Sequence, residues 1–377
     1  MRELPPPAVI TSDEQLGRLV GDLQGRALVA VDTESNSLYA YNERICLIQL
    51  STTDVDYIVD PLADVTLGPL GEVFQDASIQ KILHAAEQDV AGLKRDFGFQ
   101  FTNLFDTMRA ARILGWPKVG LGSILWDRFR VRTDKRYQRY DWGKRPLKPE
   151  ALAYAQLDTH YLVQVRNIQT QALEQLGREE EAAEVFEGLA QIAPATNPFG
   201  PHAFWRVKGC HDLSRQEQAV LWELYLWRDG VAKSRNRPPF MVMGDRRLTE
   251  LAKIKPRILD QLKTRAGLKP HLVRRYGQAL LDATARGLKG SPPRPASHPP
   301  RRDWETMKRY KALRAWRVKV ARRRGVESDV ILPNAVLWQL AEQSPTALDE
   351  LAEIPEFGPW KRKTYGSAVL EVLQDLK

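Results

Sequence analysis

Short β-favouring runs and longer helical periods alternate along the first hundred residues. Leu28–Val31, Ile45–Leu50 and Tyr57–Val59 are apolar runs at hairpin-like separations with Asn and Asp between them, and they predict strands. Ile82–Leu83 is a further short apolar run. After it Ala86, Val90, Leu93 and Phe97 recur at i, i+4, i+7 and i+11, the period of an amphipathic helix. Leu104–Phe105 predicts another strand, followed by a helix from about Met108 to Leu114. From residue 120 the pattern is helical, with a break at Arg145-Pro146 and Pro149 placed to open the next helix. A mixed sheet flanked by helices, an α/β fold, is the expected architecture.

The C-terminal half repeats itself. Trp227-Arg228 recurs 89 residues later as Trp316-Arg317. The same offset carries Leu248 onto Leu337, Leu251-Ala252 onto Leu340-Ala341, Pro256 onto Pro345, Leu259-Asp260 onto Leu348-Asp349, and Tyr276-Gly277 onto Tyr365-Gly366. Two all-α bundles of one fold are expected, with Trp227 and Trp316 as packing residues rather than base-stacking ones. PATNPFGPH (194–202) reads as a linker, and the Pro-rich basic stretch 289–303 as a second, semi-rigid one. The expected domains are 1–193, closed by the acidic helix REEEAAEVFEGL (178–189), then 208–288 and 304–377.

Candidate chemistry lies in the first 160 residues. LVAVDTESNSL (28–38) ends an apolar run in Asp32 and Glu34, and residues i and i+2 of a strand share a face. ILHAAEQDV (82–90) carries Asp89, and YAQLD (154–158) puts Tyr154 and Asp158 one helical turn apart. Singly, each has a bland reading: a solvated acid pair, an exposed helix acid, a core tyrosine beside a surface acid. Together they form an ordered set, and clustered carboxylates repel one another unless cations sit between them. Such a set can hold two Mg2+ or Mn2+ ions. One would acidify an attacking water, and the other would offset charge on the leaving oxygen of a phosphodiester. The Tyr154 phenol, too weak an acid to be the main base, would orient the water.

Charge sharpens this picture. Residues 1–200 carry 21 Lys/Arg against 28 Asp/Glu, net −7, and residues 201–377 carry 35 against 19, net +16. An acidic, metal-using half and a basic half that holds a polyanion are expected. Within the acidic half, residues 111–150 contain 11 Lys/Arg and 4 acids, densest in DKRYQRYDWGKRPL (134–147). A solvated loop would explain the charge. Tyr137, Tyr140 and Trp142 among the cations suggest base stacking beside phosphates. With two cysteines, Cys46 and Cys210, neither a disulfide framework nor a Cys-based zinc site is available, and a reducing cytoplasm fits. No apolar run approaches a membrane span, and MRELPPPAVI lacks a signal peptide's apolar region.

DTE, HAAEQD and YAQLD resemble the three motifs of the DEDDy class of 3′→5′ exonucleases. FDT (105–107), YQRYDW (137–142) and KRPL (144–147) resemble ribonuclease D and its exosome-associated relatives, and the repeated modules resemble the HRDC domain. The resemblance covers about residues 10–372 and implies a ribonuclease H-like sheet followed by two HRDC bundles. It implies that Asp32, Glu34 and Asp158 hold the ion carrying the nucleophilic water. Asp32 would bridge to a second ion held by Asp89 through water, and Tyr154 would orient the attacking water. Lys135 and His84 would approach the substrate. Gly92 stands where some relatives have tryptophan, so no stacking role transfers there. The implied activity is trimming of RNA 3′ ends, tRNA precursors and other small structured RNAs, to nucleoside 5′-monophosphates. A DNA-directed exonuclease and a non-catalytic RNA-binding scaffold are the alternatives.

Overall fold

The computed structural model describes residues 4–196, 199–294 and 302–375. Its strands are β1 (Ala8–Ile10), β2 (Leu28–Ser35), β3 (Ile45–Ser51), β4 (Asp56–Val59), β5 (Gln80–Leu83) and β6 (Leu104–Asp106). They form one sheet in the order β1-β4-β3-β2-β5-β6. β2 and β4 run antiparallel to β3, while the β1–β4, β2–β5 and β5–β6 pairs are parallel. The mixed α/β sheet is as expected. β3 is buried along its whole length, which is why it reads as an unbroken apolar run. β1 escaped sequence reading, being three residues long at the sheet edge directly after Pro5-Pro6-Pro7.

The helices around this sheet are α1 (Asp13–Gln24), α2 (Gly68–Gln75), α3 (Glu87–Phe97), α4 (Thr107–Ile113), α5 (Leu121–Phe129), α6 (Pro149–His160), α7 (Leu162–Leu176) and α8 (Glu179–Ala190). Local chemistry sets their ends. The Ser12 hydroxyl accepts the Gln15 N–H at the start of α1, Asp106 accepts the Arg109 N–H at the start of α4, and Pro149 occupies the first turn of α6. Leu16, Leu19 and Leu23 of α1, Leu70 and Phe74 of α2, and Val90 and Leu93 of α3 join the strands in the main core.

The basic half is helical: α9 (Arg215–Ser234), α10 (Pro239–Val242), α11 (Asp245–Ile254), α12 (Leu259–Thr264), α13 (Pro270–Lys289), then α14 (Trp304–Arg324), α15 (Ser328–Ile331), α16 (Asn334–Gln343) and α17 (Pro359–Gln374). The repeat persists at atomic detail. Trp227 meets Tyr276 edge-on at 5.2 Å, and Trp316 meets Tyr365 at 5.8 Å. Arg228 donates to the Met243 carbonyl (2.9 Å), and Arg317 to that of Leu332 (2.7 Å). A Cβ on Gly277 or Gly366 would meet the side-chain end of Leu259 or Leu348, the same contact in both repeats. The two tryptophans pack against their cores, as expected.

Compact units do not follow chain order. One comprises Met1–Ser35, Ile45–Ala195 and Arg301–Lys377, the other Asn36–Arg44 and Thr196–Pro300. In the second unit the Tyr41 hydroxyl donates to Asp229 (2.9 Å), and Tyr41 stacks near Phe199. Part of the expected linker 289–303, residues 295–301, lies outside the described residues, as do Asn197 and Pro198 of the other. In the first unit α17 packs on the acidic α8. Glu181, 1% exposed, binds Arg324, which also donates to the Tyr365 hydroxyl. Glu184 accepts the Trp360 N–H (2.7 Å) and pairs with Lys361 (3.3 Å), and Arg112 binds Asp329 through both carboxylate oxygens (2.6 Å). Arg324 and Lys361 of the second bundle therefore face protein carboxylates and are not open to a polyanion. No described helix is long and apolar enough to cross a membrane.

Candidate active site

β2 does not stop at its apolar run. Pairing with β3 continues through Asp32↔Gln49, Thr33↔Ile48 and Glu34↔Leu47, whereas pairing with β5 ends at Ala30↔Ile82. Past Ala30 one edge of β2 is bare, and the acids project where the two neighbours part. The turn from β5 into α3 brings in Asp89. That turn contains Ala85 in the left-handed region (φ 64°), a strained conformation for a residue with a Cβ. The motif Phe105-Asp106-Thr107 holds it. Asp106 accepts the Ala86 N–H (2.7 Å) and the Arg109 N–H (2.8 Å), and the Thr107 hydroxyl donates to the Leu83 carbonyl (3.0 Å).

Thr107 therefore has only an acceptor left for His84, whose Nδ1 lies 2.9 Å from its hydroxyl. His84 carries its proton on Nδ1 and keeps Nε2 as an acceptor. Burial, opposed by nearby Asp106, pushes its pKa down to about 4, so the ring is neutral at physiological pH. Thr33, the middle residue of the acid-x-acid motif, went unnoticed in the sequence. Its hydroxyl donates to Asp89 at 2.5 Å and so ties α3 to β2. A hydroxyl between two acids is the signal that could have found it.

α6 supplies Tyr154 and Asp158 and packs on β2, β3 and β4. It is pinned along its length: Thr159 to Ser51 (2.7 Å), Gln156 to Asp56 (2.6 Å), and the His160 ring to the same carboxylate (2.8 Å). Tyr154 packs beside Tyr137 (5.8 Å) and Trp142 (6.2 Å). The expected stacking role is corrected for Trp142. Trp142 is 1% exposed, and Tyr137 and Tyr140 pack around it in a small core under Tyr154. Trp142 is closed to bases and braces the site, while Tyr137 and Tyr140 pack beside it with part of their surface exposed. Lys135 is exposed on the turn Lys135–Arg139, two positions from Tyr137, and no described contact brings it to the acids.

Electrostatics bind the five residues into one site. Each keeps partial solvent exposure. Burial, followed by Asp89, Asp158 and Glu34, pushes Asp32 well above the usual carboxylate range. Glu34 rises to about 9 through burial, Asp158 and Asp89; Asp158 rises to about 7 through burial and Asp89. Burial lifts Asp89 to about 6 against the opposing Thr33 bond. Burial and the neighbouring acids also drive the Tyr154 phenol up, so it stays protonated and can donate. The influences on Glu34 and Asp158 include no cationic side chain.

Among the described residues no group of three or more His, Cys, Asp or Glu side chains could hold a metal ion as it stands. A hard divalent cation nevertheless fits the donor set. All four acids offer oxygen, and their raised proton affinities mark a place short of positive charge. Acids with raised folded-state pKa values stabilise the metal-free fold in acid, and that contribution is lost as pH climbs from the ordinary carboxylate range through about 6, 7 and 9. In EDTA, thermal melts from pH 5 to 9 should show stability declining, with Glu34→Gln flattening the decline and melting above wild type near pH 8. Equal slopes in both proteins would remove the electrostatic account.

The 3'-5' exonuclease family model matches residues 7–174, and the HRDC domain model matches 217–284 and 306–373. Exosome complex exonuclease RRP6 of Saccharomyces cerevisiae is 31% identical over 66% of this chain, which spans 36% of that longer protein. Ribonuclease D of Gluconacetobacter diazotrophicus is 32% identical over 74% of this chain and 72% of its own length. The crystal structure of Escherichia coli RNase D, described as an exoribonuclease involved in structured RNA processing, superposes with a TM-score of 0.70 at 25% identity, covering 98% of this chain and 99% of that one. The exonuclease fold of this family is metal-dependent. From its sheet, its motifs and its two helical repeats, the chain belongs to the ribonuclease D family of 3′→5′ exonucleases with HRDC domains.

Proposed function

We propose that this chain is a 3′→5′ exoribonuclease. It would act on single-stranded RNA 3′ ends, including those of tRNA precursors and other small structured RNAs, and release nucleoside 5′-monophosphates. One observation carries the reading: acids from three separate elements act on one another, burial together with Asp89, Asp158 and Glu34 raising Asp32, and burial together with Asp158 and Asp89 raising Glu34, with the protonated Tyr154 beside them. Asp32, Glu34 and Asp158 would hold one Mg2+ or Mn2+ ion, and Asp32 with Asp89 a second. Bound there, the pair supplies an acidified water and neutralisation of the charge that builds on phosphorus and the leaving oxygen.

The protein's own groups do the rest. Thr33 holds the Asp89 carboxylate by its 2.5 Å bond, fixing α3 against β2. Tyr154 donates a hydrogen bond that aims the attacking water, and its ring is held by Tyr137 and Trp142. Neutral His84 presents Nε2 as an acceptor for a hydroxyl of the terminal nucleotide. A chain with two cysteines, both buried, fits a reducing compartment such as the cytoplasm.

The test is mononucleotide release from a 3′-tailed RNA, with a DNA strand of the same sequence alongside. EDTA should abolish release, and Mg2+ or Mn2+ should restore it. Release that persists in EDTA removes the metal-dependent mechanism, and faster release from DNA removes the RNA assignment.

A further inference from the structure

The cations of residues 111–150 are not equivalent. Arg136 pairs with Asp134 (2.6 Å), Lys144 with Asp141 (3.5 Å), and Arg145 clasps Asp60 through two bonds of 2.6 Å. Three cations of the stretch densest in charge thus have carboxylate partners, with Arg145 the one held in a largely buried pair and Arg136 and Lys144 on the surface. Just before it, residues 116–133 hold Lys118, Arg128, Arg130 and Arg132 against one acid, Asp127. Among the described residues none of these four cations has a carboxylate partner.

Three of them lie over indole rings instead. The Arg128 guanidinium is 4.5 Å from the Trp116 centroid, and Arg130 and Arg132 are 5.8 and 4.8 Å from that of Trp126. Trp126 is 38% exposed on α5, an unusual place for a large aromatic. The backbone is shaped to make this cluster. Arg130 ends α5 in the left-handed conformation (φ 59°), which reverses the chain and returns Arg132 toward Trp126. Any Cβ on Gly122 would lie 2.8 Å from the Thr133 hydroxyl, so the returning segment rests directly on the helix.

Beneath, the cluster is continuous with the candidate active site. Ile124, Leu125 and Val131 are buried together with Leu157 and Tyr161 packed against them, and Phe129 stacks on Tyr161 at 5.0 Å. Leu157 immediately precedes Asp158, and Tyr161 follows it by three.

We propose that Trp126, with Arg128, Arg130 and Arg132, is the platform that carries single-stranded RNA upstream of its 3′ end. A base stacks on the Trp126 indole and displaces a guanidinium onto the adjacent phosphate, and the remaining arginines take neighbouring phosphates. The platform rests on the exoribonuclease reading above, but it makes its own prediction about binding.

The test uses the full chain in EDTA with a fluorescent single-stranded RNA of about 15 nucleotides, long enough to span the site and the platform. Trp126→Ala should weaken binding by about tenfold, and Trp126→Phe should recover most of it. The triple variant Arg128→Gln, Arg130→Gln, Arg132→Gln should reduce the slope of log K against log salt by about 2, near 0.7 per lost phosphate contact. With Mg2+ present the loss should fall on KM far more than on kcat, and melting curves matching wild type should accompany both variants. Unchanged affinity and unchanged salt slope in both overturn the platform. A wild-type protein that binds RNA but releases no nucleotide would overturn the exoribonuclease reading and leave the binding result to stand by itself.

Discussion

Asp32→Asn is expected to lower the rate of 3′-nucleotide release by about three orders of magnitude or more, the equivalent of several kcal/mol of lost charge stabilisation. Asp32 is the acid on which all three others act, so it is the most central of the set. The change keeps the side chain's shape and removes the charge. It should leave the fold intact, and metal-free Asp32→Asn should melt at or above wild type, because one mutually repelling acid is gone. Single-turnover hydrolysis of an end-labelled RNA, run beside a melting curve, separates the two effects. Activity within about tenfold of wild type would show that no essential cation depends on this carboxylate.

Glu181→Ala should destabilise the first unit by about 3–5 kcal/mol, the usual loss when one member of a buried ion pair is removed. Glu181 is 1% exposed and Arg324 18%, so the guanidinium would be stranded with little water. Arg324 would retain only the Tyr365 hydroxyl as a side-chain acceptor among its described contacts. The joint variant Glu181→Leu, Arg324→Met should lose much less, since neither charge is then buried alone. Urea unfolding, with proteolysis of residues 302–375 as a local probe, distinguishes the cases. A loss below about 1 kcal/mol in Glu181→Ala would mean the pair behaves as an exposed one.

Most of the sheet was legible because its strands are short apolar runs bounded by turn residues, and the helical repeat because one offset holds without gaps. The strand β2 was read as ending at Val31. Its last four residues are polar, and what keeps them extended is the ladder to β3, a tertiary fact invisible to local pattern. The candidate site's acids stand out in the sequence by their order and spacing, whereas Thr33 was passed over because a threonine between two acids has no periodicity to mark it. Charge density alone does not sort the cations of the basic segment. Counting Lys and Arg pointed to 134–147, but counting cannot tell an arginine held by Asp60 from one lying over an indole, and only the fold separates Arg145 from Arg132. The acidic stretch 178–189 was likewise visible as charge and silent about its partners, because Arg324 and Lys361 lie more than a hundred residues away.

That separation has a consequence for how the chain is made. Glu181 emerges from a ribosome 143 residues before Arg324, which at about 5–20 residues per second is a wait of roughly 7–30 s. Throughout that interval the nascent sheet can form while the carboxylate destined for burial remains in water, and the other unit is synthesised in the gap. Completion of the nuclease body is therefore one of the last events of translation, and premature stops after residue 300 should yield a chain whose strands are present but whose α8 face is still unclothed.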